Sequence, residues 1–256
     1  MKHVSDSNGQ KINSDRFIGR ESSFSFCFGK IGGTIGKTCL IAVLAFYFTA
    51  AVYAPLFADS NLNIDESRMR DLSWWNSRIA RYSQKHYGQN RSDLNPTCIV
   101  LHYTAMSEFP WNLVKSKDFS GEEPGLASHY VVDGKKIWRI LPDNIRSRGC
   151  YAMNHVAINI EMCALDAGDL SGKKETMKTC ALLVKDLMQK YNIPLSKVYS
   201  HQQVASMNKR IVPEVYDLVN GKPYSKIDPG EGNMKTIKKM IAGMKSNDDM
   251  GDFGEK

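Results

Sequence analysis

A run of 21 residues without a single charge extends from Thr38 to Ala58. A basic region precedes it, with six Lys or Arg against three acids in residues 1–37, and the acidic Asp59 follows it. About 20 apolar residues are enough to cross a bilayer as a helix. A basic flank, an apolar run and an acidic exit are typical of a translocated N-terminus. The rest of the chain is therefore expected to fold as a domain of its own.

The apolar run is interpreted as either a cleaved signal peptide or a retained transmembrane anchor. The sequence Leu56-Phe57-Ala58 before Asp59 is an acceptable cleavage site, whereas the length of the run suits an anchor. Both alternatives place the following residues outside the cytoplasm, in the periplasm, secreted, or tethered to the inner membrane through residues 38–58. The charge asymmetry argues against a buried core helix.

The charge balance after residue 58 is mildly positive, with 28 Lys or Arg against 24 Asp or Glu. This balance fits an anionic polymer as substrate. No Arg/aromatic stripe or nucleic-acid-binding motif is visible, so no nucleic-acid partner is expected.

Four cysteines follow the apolar run, and none belongs to a C-x-x-C pair, which argues against a cysteine zinc cluster. Outside the cytoplasm a disulfide is permitted. Cys150 and Cys163 are the first pair to consider, and the alternative is that they are buried as small apolar residues.

Periodicity predicts alternating strands and helices over residues 95–246. Strands are expected at 97–103, 156–163 and 197–201, a hairpin at 129–141 turning at Asp133-Gly134, and helices at 173–191 and 233–244. A helical or irregular lead-in is expected at 59–94 with Trp74, Trp75 and Ile79 facing the domain, a long loop or short helix at 107–125, and a polar tail at 247–256. The alternation predicts a single α/β domain with a mixed central β-sheet flanked by helices.

Three stretches far apart in the chain carry metal-ligand chemistry: CIVLHYT at 98–104, YSH at 199–201 and KIDPG at 226–230. The imidazoles of His102 and His201 and the carboxylate of Asp228 suit zinc. Three protein ligands leave a fourth position for water, which is typical of a catalytic zinc site. Taken singly, each histidine is more simply a core residue, and Asp228 a turn or helix-cap residue.

The residues around these ligands add to the prediction. In a pleated strand, Leu101 and Tyr103 pack on one side while His102 faces the opposite cleft. Lys226 shares a face with Asp228 if the segment is extended, and an ammonium there stabilises the oxyanion that forms when water attacks a carbonyl.

The order of these motifs resembles a known family. HYT after an apolar strand, SHY before a hairpin, INIEM, SH at a strand end and KIDPG occur in this order in type-2 N-acetylmuramoyl-L-alanine amidases, which are related to peptidoglycan recognition proteins and phage amidase lysozymes. The resemblance covers residues 95–243. It implies Zn²⁺ as cofactor, peptidoglycan or muropeptides as substrate, and hydrolysis of the amide bond between N-acetylmuramic acid and L-alanine.

The resemblance also implies roles for single residues. It makes His102, His201 and Asp228 the zinc ligands, Glu161 the residue that activates or orients the water, and Lys226 the residue that stabilises the tetrahedral intermediate. Two arginines, Arg146 and Arg148, are expected either to bind stem-peptide carboxylates or to be solvated. We expect His129 to be structural, and His86 and His155 to lie on the surface.

The chain departs from the family in two places. Between His201 and Asp228 lie 26 residues, well beyond the family's usual short loop. The extra stretch, about 207–224, is interpreted as a lid or substrate wall, and it makes Glu214 and Asp217 alternatives to Asp228 as ligand. A Trp-His pair that the family often has near residues 148–151 is absent.

A non-catalytic peptidoglycan-binding module is the alternative function, and a zinc peptidase acting within the stem peptide is another. The complete set of ligands, with Glu161 and Lys226, favours the amidase. The sequence leaves the oligomeric state open.

Overall fold

The computed structural model describes residues 62–207, 218–219 and 222–244, which fall within one compact unit, Leu56–Lys256. The basic N-terminal region, the apolar run at 38–58 and the polar tail at 247–256 lie outside the described residues. No helix within the described ranges has the length and apolarity needed to cross a membrane.

A six-stranded mixed sheet forms the centre of the domain, in the spatial order β1-β4-β3-β5-β2-β6. Its strands are β1 (Ile64–Asp65), β2 (Cys98–Tyr103), β3 (Tyr130–Asp133), β4 (Lys136–Arg139), β5 (Ala157–Met162) and β6 (Val198–Ser200). Strand β2 lies between β5 and β6 and is parallel to both, whereas β3 and β4 form an antiparallel hairpin. The predicted α/β class with a mixed central sheet is confirmed.

Helices cover the sheet on both faces. They are α1 (Leu72–Tyr87), α2 (Trp111–Lys115), α3 (Ala167–Gly172), α4 (Lys174–Tyr191), α5 (His201–Ala205) and α6 (Glu231–Gly243), with a short hairpin of β7 (Leu218–Val219) and β8 (Lys222–Pro223) before α6. The predicted helices at 173–191 and 233–244 correspond to α4 and α6. In the predicted loop at 107–125, the short-helix alternative is confirmed as α2.

Side-chain alternation in β2 separates two cores. Ile99 and Leu101 point to the face covered by α4 and α6 and belong to the largest cluster of buried residues. Cys98 and Val100 point to the opposite face, where they pack in a smaller cluster with Cys150. A strand covered on both faces explains why its sequence is apolar almost throughout.

The predicted hairpin forms as expected, with β3 and β4 joined at Asp133 and Gly134. Gly134 has a φ of 56°, which a residue without a Cβ adopts readily.

The predicted lead-in is an integral part of the domain. Asp71 caps α1 by accepting hydrogen bonds from the Ser73 and Trp74 amides. On the inner face of α1, Trp75 and Ile79 are fully buried, whereas Trp74 is half-buried. The Trp75 indole donates a hydrogen bond of 2.9 Å to the Arg146 carbonyl, so α1 also fixes the segment that follows β4.

The suggested Cys150–Cys163 disulfide is wrong. Cys98, Cys150, Cys163 and Cys180 are all free and buried. Cys150 packs in the small cluster behind β2, whereas Cys163 packs with the residues under α1. The alternative, burial as small apolar side chains, is confirmed.

A buried carboxylate ties the β3–β4 region to α4. Asp143 accepts hydrogen bonds from the Tyr130 hydroxyl, from the Lys190 ammonium at 2.9 Å and from the Tyr191 hydroxyl at 2.9 Å. Burial opposes ionisation of Asp143, but these donors outweigh it and hold the pKa of the carboxyl below its usual range.

Asp143→Asn is expected to lower the free energy of unfolding at pH 7 by about 1–3 kcal/mol, because a charged acceptor with three donors is lost. Since the folded-state pKa is depressed, the stabilisation by Asp143 is complete above the unfolded-state pKa of about 3.9 and disappears as the pH falls through the folded-state value. Urea unfolding at pH 7 and pH 2.5 measures this.

The difference between wild type and variant must therefore shrink at pH 2.5. Asp118→Asn, at an exposed position, is the control and should match the wild type at both pH values. A difference for Asp143→Asn that is the same at both pH values contradicts this account.

Candidate metal centre and active site

The site lies where three parallel strands end at the same edge of the sheet. His102 near the end of β2 pairs with Glu161 of β5, and Leu101 pairs with Ser200, the last residue of β6. The carboxyl ends of neighbouring parallel strands are the usual place for ligand sites in open α/β sheets. His102 is buried and points to the face opposite Leu101, as alternation predicts.

His201 is held by the start of a helix rather than by the end of a strand. Strand β6 ends at Ser200, which caps α5: its hydroxyl accepts from the Gln203 amide and the Gln203 side chain accepts from the Ser200 amide, both at 2.9 Å. This capping box fixes the backbone on either side of the His201 Cα. The predicted strand at 197–201 is thus one residue too long at each end.

Asp228 is fixed by bonds on both sides of its turn. Its carbonyl accepts from the Gln202 amide at 3.0 Å, which ties the turn to α5. The Asn233 side chain donates to the Pro229 carbonyl at 2.9 Å, which ties the turn to α6. Gly230 has a φ of 91°, and a Cβ there would lie 2.9 Å from the Ala167 side chain, so the turn requires glycine.

The three predicted ligands converge. The Nδ1 atoms of His102 and His201 lie 3.0 Å apart, and each is 3.1 Å from Oδ2 of Asp228. These side chains form the only group of three His, Cys, Asp or Glu among the described residues that could hold a metal ion. Tetrahedral zinc with bonds of about 2.0–2.1 Å separates its ligand atoms by about 3.3–3.4 Å, close to the observed triangle.

The hydrogen bonds around the triangle show that it suits a cation. Nε2 of His102 lies 3.0 Å from Oδ1 of Asn159, which can only accept, so in the neutral imidazole Nε2 carries the proton and Nδ1 presents a lone pair. That lone pair faces a carboxylate oxygen that also only accepts. Acceptors this close repel one another unless a positive charge lies among them, and two imidazoles with one carboxylate are donors that zinc prefers.

The electrostatics favour the ligating forms of two of the three groups. Burial, together with His102, lowers the pKa of His201 to about 4, which keeps its imidazole neutral. Burial opposes ionisation of Asp228, but the two imidazoles, each with a nitrogen 3.1 Å from its carboxylate oxygen, hold the pKa of the carboxyl far below the usual range. Metal binding requires neutral imidazole and ionised carboxylate.

Glu161 shares the face of β5 that carries Asn159 and looks toward the ligands. Burial raises the pKa of Glu161 to about 7, and nearby His102 reduces this effect. Its Oε2 is buried, and no described residue bonds to it. It borders a cavity of about 50 Å³ that it shares with Ser128 and Gly149, which is room for at least one water molecule. An unsatisfied carboxylate beside such a cavity suits a base acting on water.

Lys226 lies at the exposed mouth of the site, with its ammonium 5.9 Å from the centre of the Tyr224 ring. Its charge is among those that act on the Glu161 carboxyl and on His201. The predicted site residues His102, His201, Asp228, Glu161 and Lys226 thus surround one space.

Comparison with known proteins agrees with this geometry. Residues 92–215 match the family model Amidase_2, described as N-acetylmuramoyl-L-alanine amidase. This region belongs to the type-2 amidase family. The match includes His102, Glu161 and His201 but ends before Lys226 and Asp228, so the last two are assigned by their position in the structure.

Curated relatives share the amidase region. The chain is 29% identical over 126 residues to N-acetylmuramoyl-L-alanine amidase CwlL of Bacillus licheniformis, covering 42% of this chain and 34% of the relative. It is 26% identical over 120 residues to N-acetylmuramoyl-L-alanine amidase CwlA of a Bacillus species, covering 43% of this chain and 45% of the relative. The chain thus spans less than half the length of these relatives.

Among solved structures, a mutant endolysin from Bacillus subtilis is 18% identical with a TM-score of 0.44, and the alignment covers 70% of this chain and 99% of that one.

The two arginines assigned to substrate binding are structural residues of the amidase domain. Arg146 is buried and donates to the Asp93 carbonyl and the Gln89 side chain. Arg148 is buried and donates to the Glu122 carbonyl and side chain. The solvated alternative is wrong for both, and these bonds within the protein do not support stem-peptide binding either.

The other histidines of the amidase domain have structural contacts. As predicted, His129 is buried beneath the hairpin: its Nδ1 accepts from the Asn159 amide at 2.9 Å, and its Nε2 donates to the Ile145 carbonyl at 2.9 Å. The surface prediction is wrong for His86, which is half-buried against Glu122, and for His155, which stacks on Tyr87 with ring centres 4.4 Å apart. The alternative ligands Glu214 and Asp217 lie outside the described residues.

Sequence reasoning missed Asn159, which orients the ligand His102. Its side chain accepts from Nε2 of His102 and donates to the Ser147 hydroxyl at 2.8 Å. Gly149 packs so closely that a Cβ there would lie 3.0 Å from the Asn159 side chain. The period of two in INIEM, which puts Asn159 on the same face as Glu161, was the signal that could have identified it.

Asn159→Ala is expected to weaken zinc binding by about 10–100-fold, because the ligand His102 loses the acceptor that fixes its tautomer and orientation. Asn159→Asp keeps an oxygen at this position and is the matched control, expected to bind zinc nearly as well as the wild type. Competition for zinc with a chromophoric chelator measures both affinities. Equal affinities for Asn159→Ala and the wild type would show that Asn159 does not support His102.

Proposed function

We propose that this chain is a zinc-dependent N-acetylmuramoyl-L-alanine amidase that hydrolyses the amide bond between the lactyl group of N-acetylmuramic acid and L-alanine. The observation that carries the proposal is the convergence of His102, His201 and Asp228 on one point, with Glu161 on the same face of the sheet. Membership of residues 92–215 in the amidase family supports it.

The ligands would hold Zn²⁺ through Nδ1 of His102, Nδ1 of His201 and Oδ2 of Asp228. When bound, the ion supplies Lewis-acid polarisation of the scissile carbonyl and lowers the pKa of a water molecule toward about 7. Glu161 accepts a proton from the attacking water at its unbonded Oε2 and donates a proton to the leaving amine of L-alanine. Burial, by raising the pKa of Glu161 to about 7, suits the carboxyl to both roles.

Lys226 is assigned the role of stabilising the oxyanion of the tetrahedral intermediate. Its ammonium stands at the solvent side of the site, where negative charge develops on the former carbonyl oxygen. A fixed positive charge there stabilises the tetrahedral intermediate without any change in the protonation of the protein.

A groove beside the centre offers room for substrate. Immediately after β2 and Thr104, an open groove of about 530 Å³ is lined by Met106, Phe109, Trp111 and Leu165, among others. A volume of this size at the exit of β2 suits a muropeptide rather than a single amino acid.

The groove alone would also serve a binding module without activity, or a peptidase. The complete ligand set and the unsatisfied Glu161 favour hydrolysis over binding, because a module needs no base beside a cavity for water. Only the product separates amidase from peptidase.

Purified protein incubated with defined muropeptides is expected to release intact stem peptide, detected by mass, and a zinc chelator should stop the reaction. Glu161→Gln should lower kcat by about 10²–10⁴-fold, because the proton acceptor is lost. Zinc content should not change, since Glu161 is not a ligand. Glu175→Gln, an exposed change of the same chemistry in α4, is the control and should keep full activity.

Each other outcome selects an alternative. Binding of muropeptide without any product identifies a non-catalytic module. Release of single amino acids identifies a peptidase. Full activity of Glu161→Gln removes Glu161 from the mechanism, and activity that survives complete zinc removal refutes the metal-dependent hydrolase.

We further propose that the domain works outside the cytoplasm, delivered or anchored by residues 38–58. The basic flank, the charge-free run and the acidic exit support this location. A C-terminal reporter enzyme that is active only outside the cytoplasm should be active on the full chain and inactive when residues 38–58 are deleted. An inactive reporter on the full chain, or equal activity after the deletion, would contradict the location.

A further inference from the structure

The second ring nitrogen of the ligand His201 has a partner that lies outside the sheet. Nε2 of His201 is hydrogen-bonded to the hydroxyl of Tyr224, while Nδ1 faces His102 and Asp228. The ring of His201 is thus held at both nitrogens. The two ligand histidines have different supports, since His102 relies on Asn159 from β5 of the sheet itself.

Tyr224 is held in place by several contacts. Its ring meets the Tyr151 ring edge to face with centres 5.5 Å apart, and its centre lies 5.7 Å from that of the His201 ring. The Cys150 thiol lies within hydrogen-bonding reach of the Tyr224 hydroxyl. The hairpin of β7 and β8 ends at Pro223, directly before Tyr224.

The chemistry of the contact defines its direction. A phenol hydroxyl can both donate and accept, whereas an imidazole that binds a metal through Nδ1 carries its proton on Nε2. In the metal-binding form, Nε2 of His201 therefore donates to the Tyr224 oxygen. The hydroxyl hydrogen of Tyr224 remains available for the Cys150 sulfur. Partners of this kind orient a ligand ring and fix its tautomer.

We propose that Tyr224 is a positioning residue for the metal ligand His201. Tyr224 lies four residues before Asp228 in the chain and holds the ring of His201 through Nε2. The inference rests on the proposed function only in taking zinc as the ion. Tyr224 is the last residue of the stretch at about 207–224 that the sequence predicts to be a lid or substrate wall, and its hydroxyl contacts the candidate ligand His201.

Zinc affinity of the full chain, measured by competition with a chromophoric chelator, tests the proposal without any substrate. Tyr224→Phe keeps the ring and its contact with Tyr151 but removes the oxygen that Nε2 of His201 needs. We expect zinc binding about 10–100-fold weaker than in the wild type. Tyr199→Phe is the matched control: it removes a phenol hydroxyl from a half-buried tyrosine of β6, and its zinc affinity should stay within about twofold of the wild type.

A second measurement separates positioning from packing. Thermal unfolding in excess chelator should give Tyr224→Phe a Tm slightly below that of the wild type, because one hydrogen bond is lost. In excess zinc the difference in Tm should become larger, because the weaker binding of the variant stabilises its folded state less. An unchanged zinc affinity of Tyr224→Phe overturns the proposal. Equal destabilisation with and without zinc also overturns it, since the hydroxyl would then act on the fold alone.

The outcomes for this inference and for the amidase proposal are distinct. A wild-type protein that binds zinc, loses affinity in Tyr224→Phe and releases no stem peptide refutes the amidase but leaves the role of Tyr224 intact. A wild-type protein that binds no zinc overturns the role of Tyr224 whatever its activity.

Discussion

Two imidazole nitrogens and one carboxylate oxygen lie only 3.0–3.1 Å from one another, and the elements around them hold this triangle together. With neutral imidazoles these atoms repel one another unless a proton or a metal ion lies among them, so the fold must hold each side chain in place. It does so with main-chain devices: a parallel strand pair for His102, a capping box for His201, and a turn clamped by Asn233 for Asp228. Polar partners outside the triangle then determine which nitrogen of each imidazole is free.

Support for the site also comes from α1, which packs on the face of the sheet that carries Glu161 and His102. Helix α1 places Trp75 against the Arg146 carbonyl, and Arg148 fixes the segment around Glu122. These contacts fix the stretch that includes Ser147 and Gly149. Both residues contact the side chain of Asn159, which in turn is hydrogen-bonded to His102. Arg146 and Arg148, which the sequence suggested as substrate-binding residues, hold this stretch in place through hydrogen bonds within the protein. Both side chains are buried and bonded within the protein.

Local patterns carried most of the prediction. Apolar runs located β2 and β5, Asp133-Gly134 located the hairpin, and the period of a strand oriented His102 correctly, because all of these depend on residues close in sequence. The errors concern distant partners. Nothing near Cys150 reveals that Cys163 packs in a different cluster, and nothing near Arg148 reveals that Glu122 lies beside it. The contact between Tyr224 and His201 could not be predicted either, since a long insertion separates the two residues in the sequence.

The ligand Asp228 lies far along the chain from His102, on the turn that precedes the last helix of the domain. An incomplete polypeptide ending before this turn has two imidazoles but no carboxylate to join them. In the zinc enzyme proposed above, chelation would therefore follow the completion of tertiary structure, and the ion would add its binding energy only to chains that have docked α6. A metal centre assembled in this way acts as a quality check, because misfolded copies remain without both the ion and its chemistry.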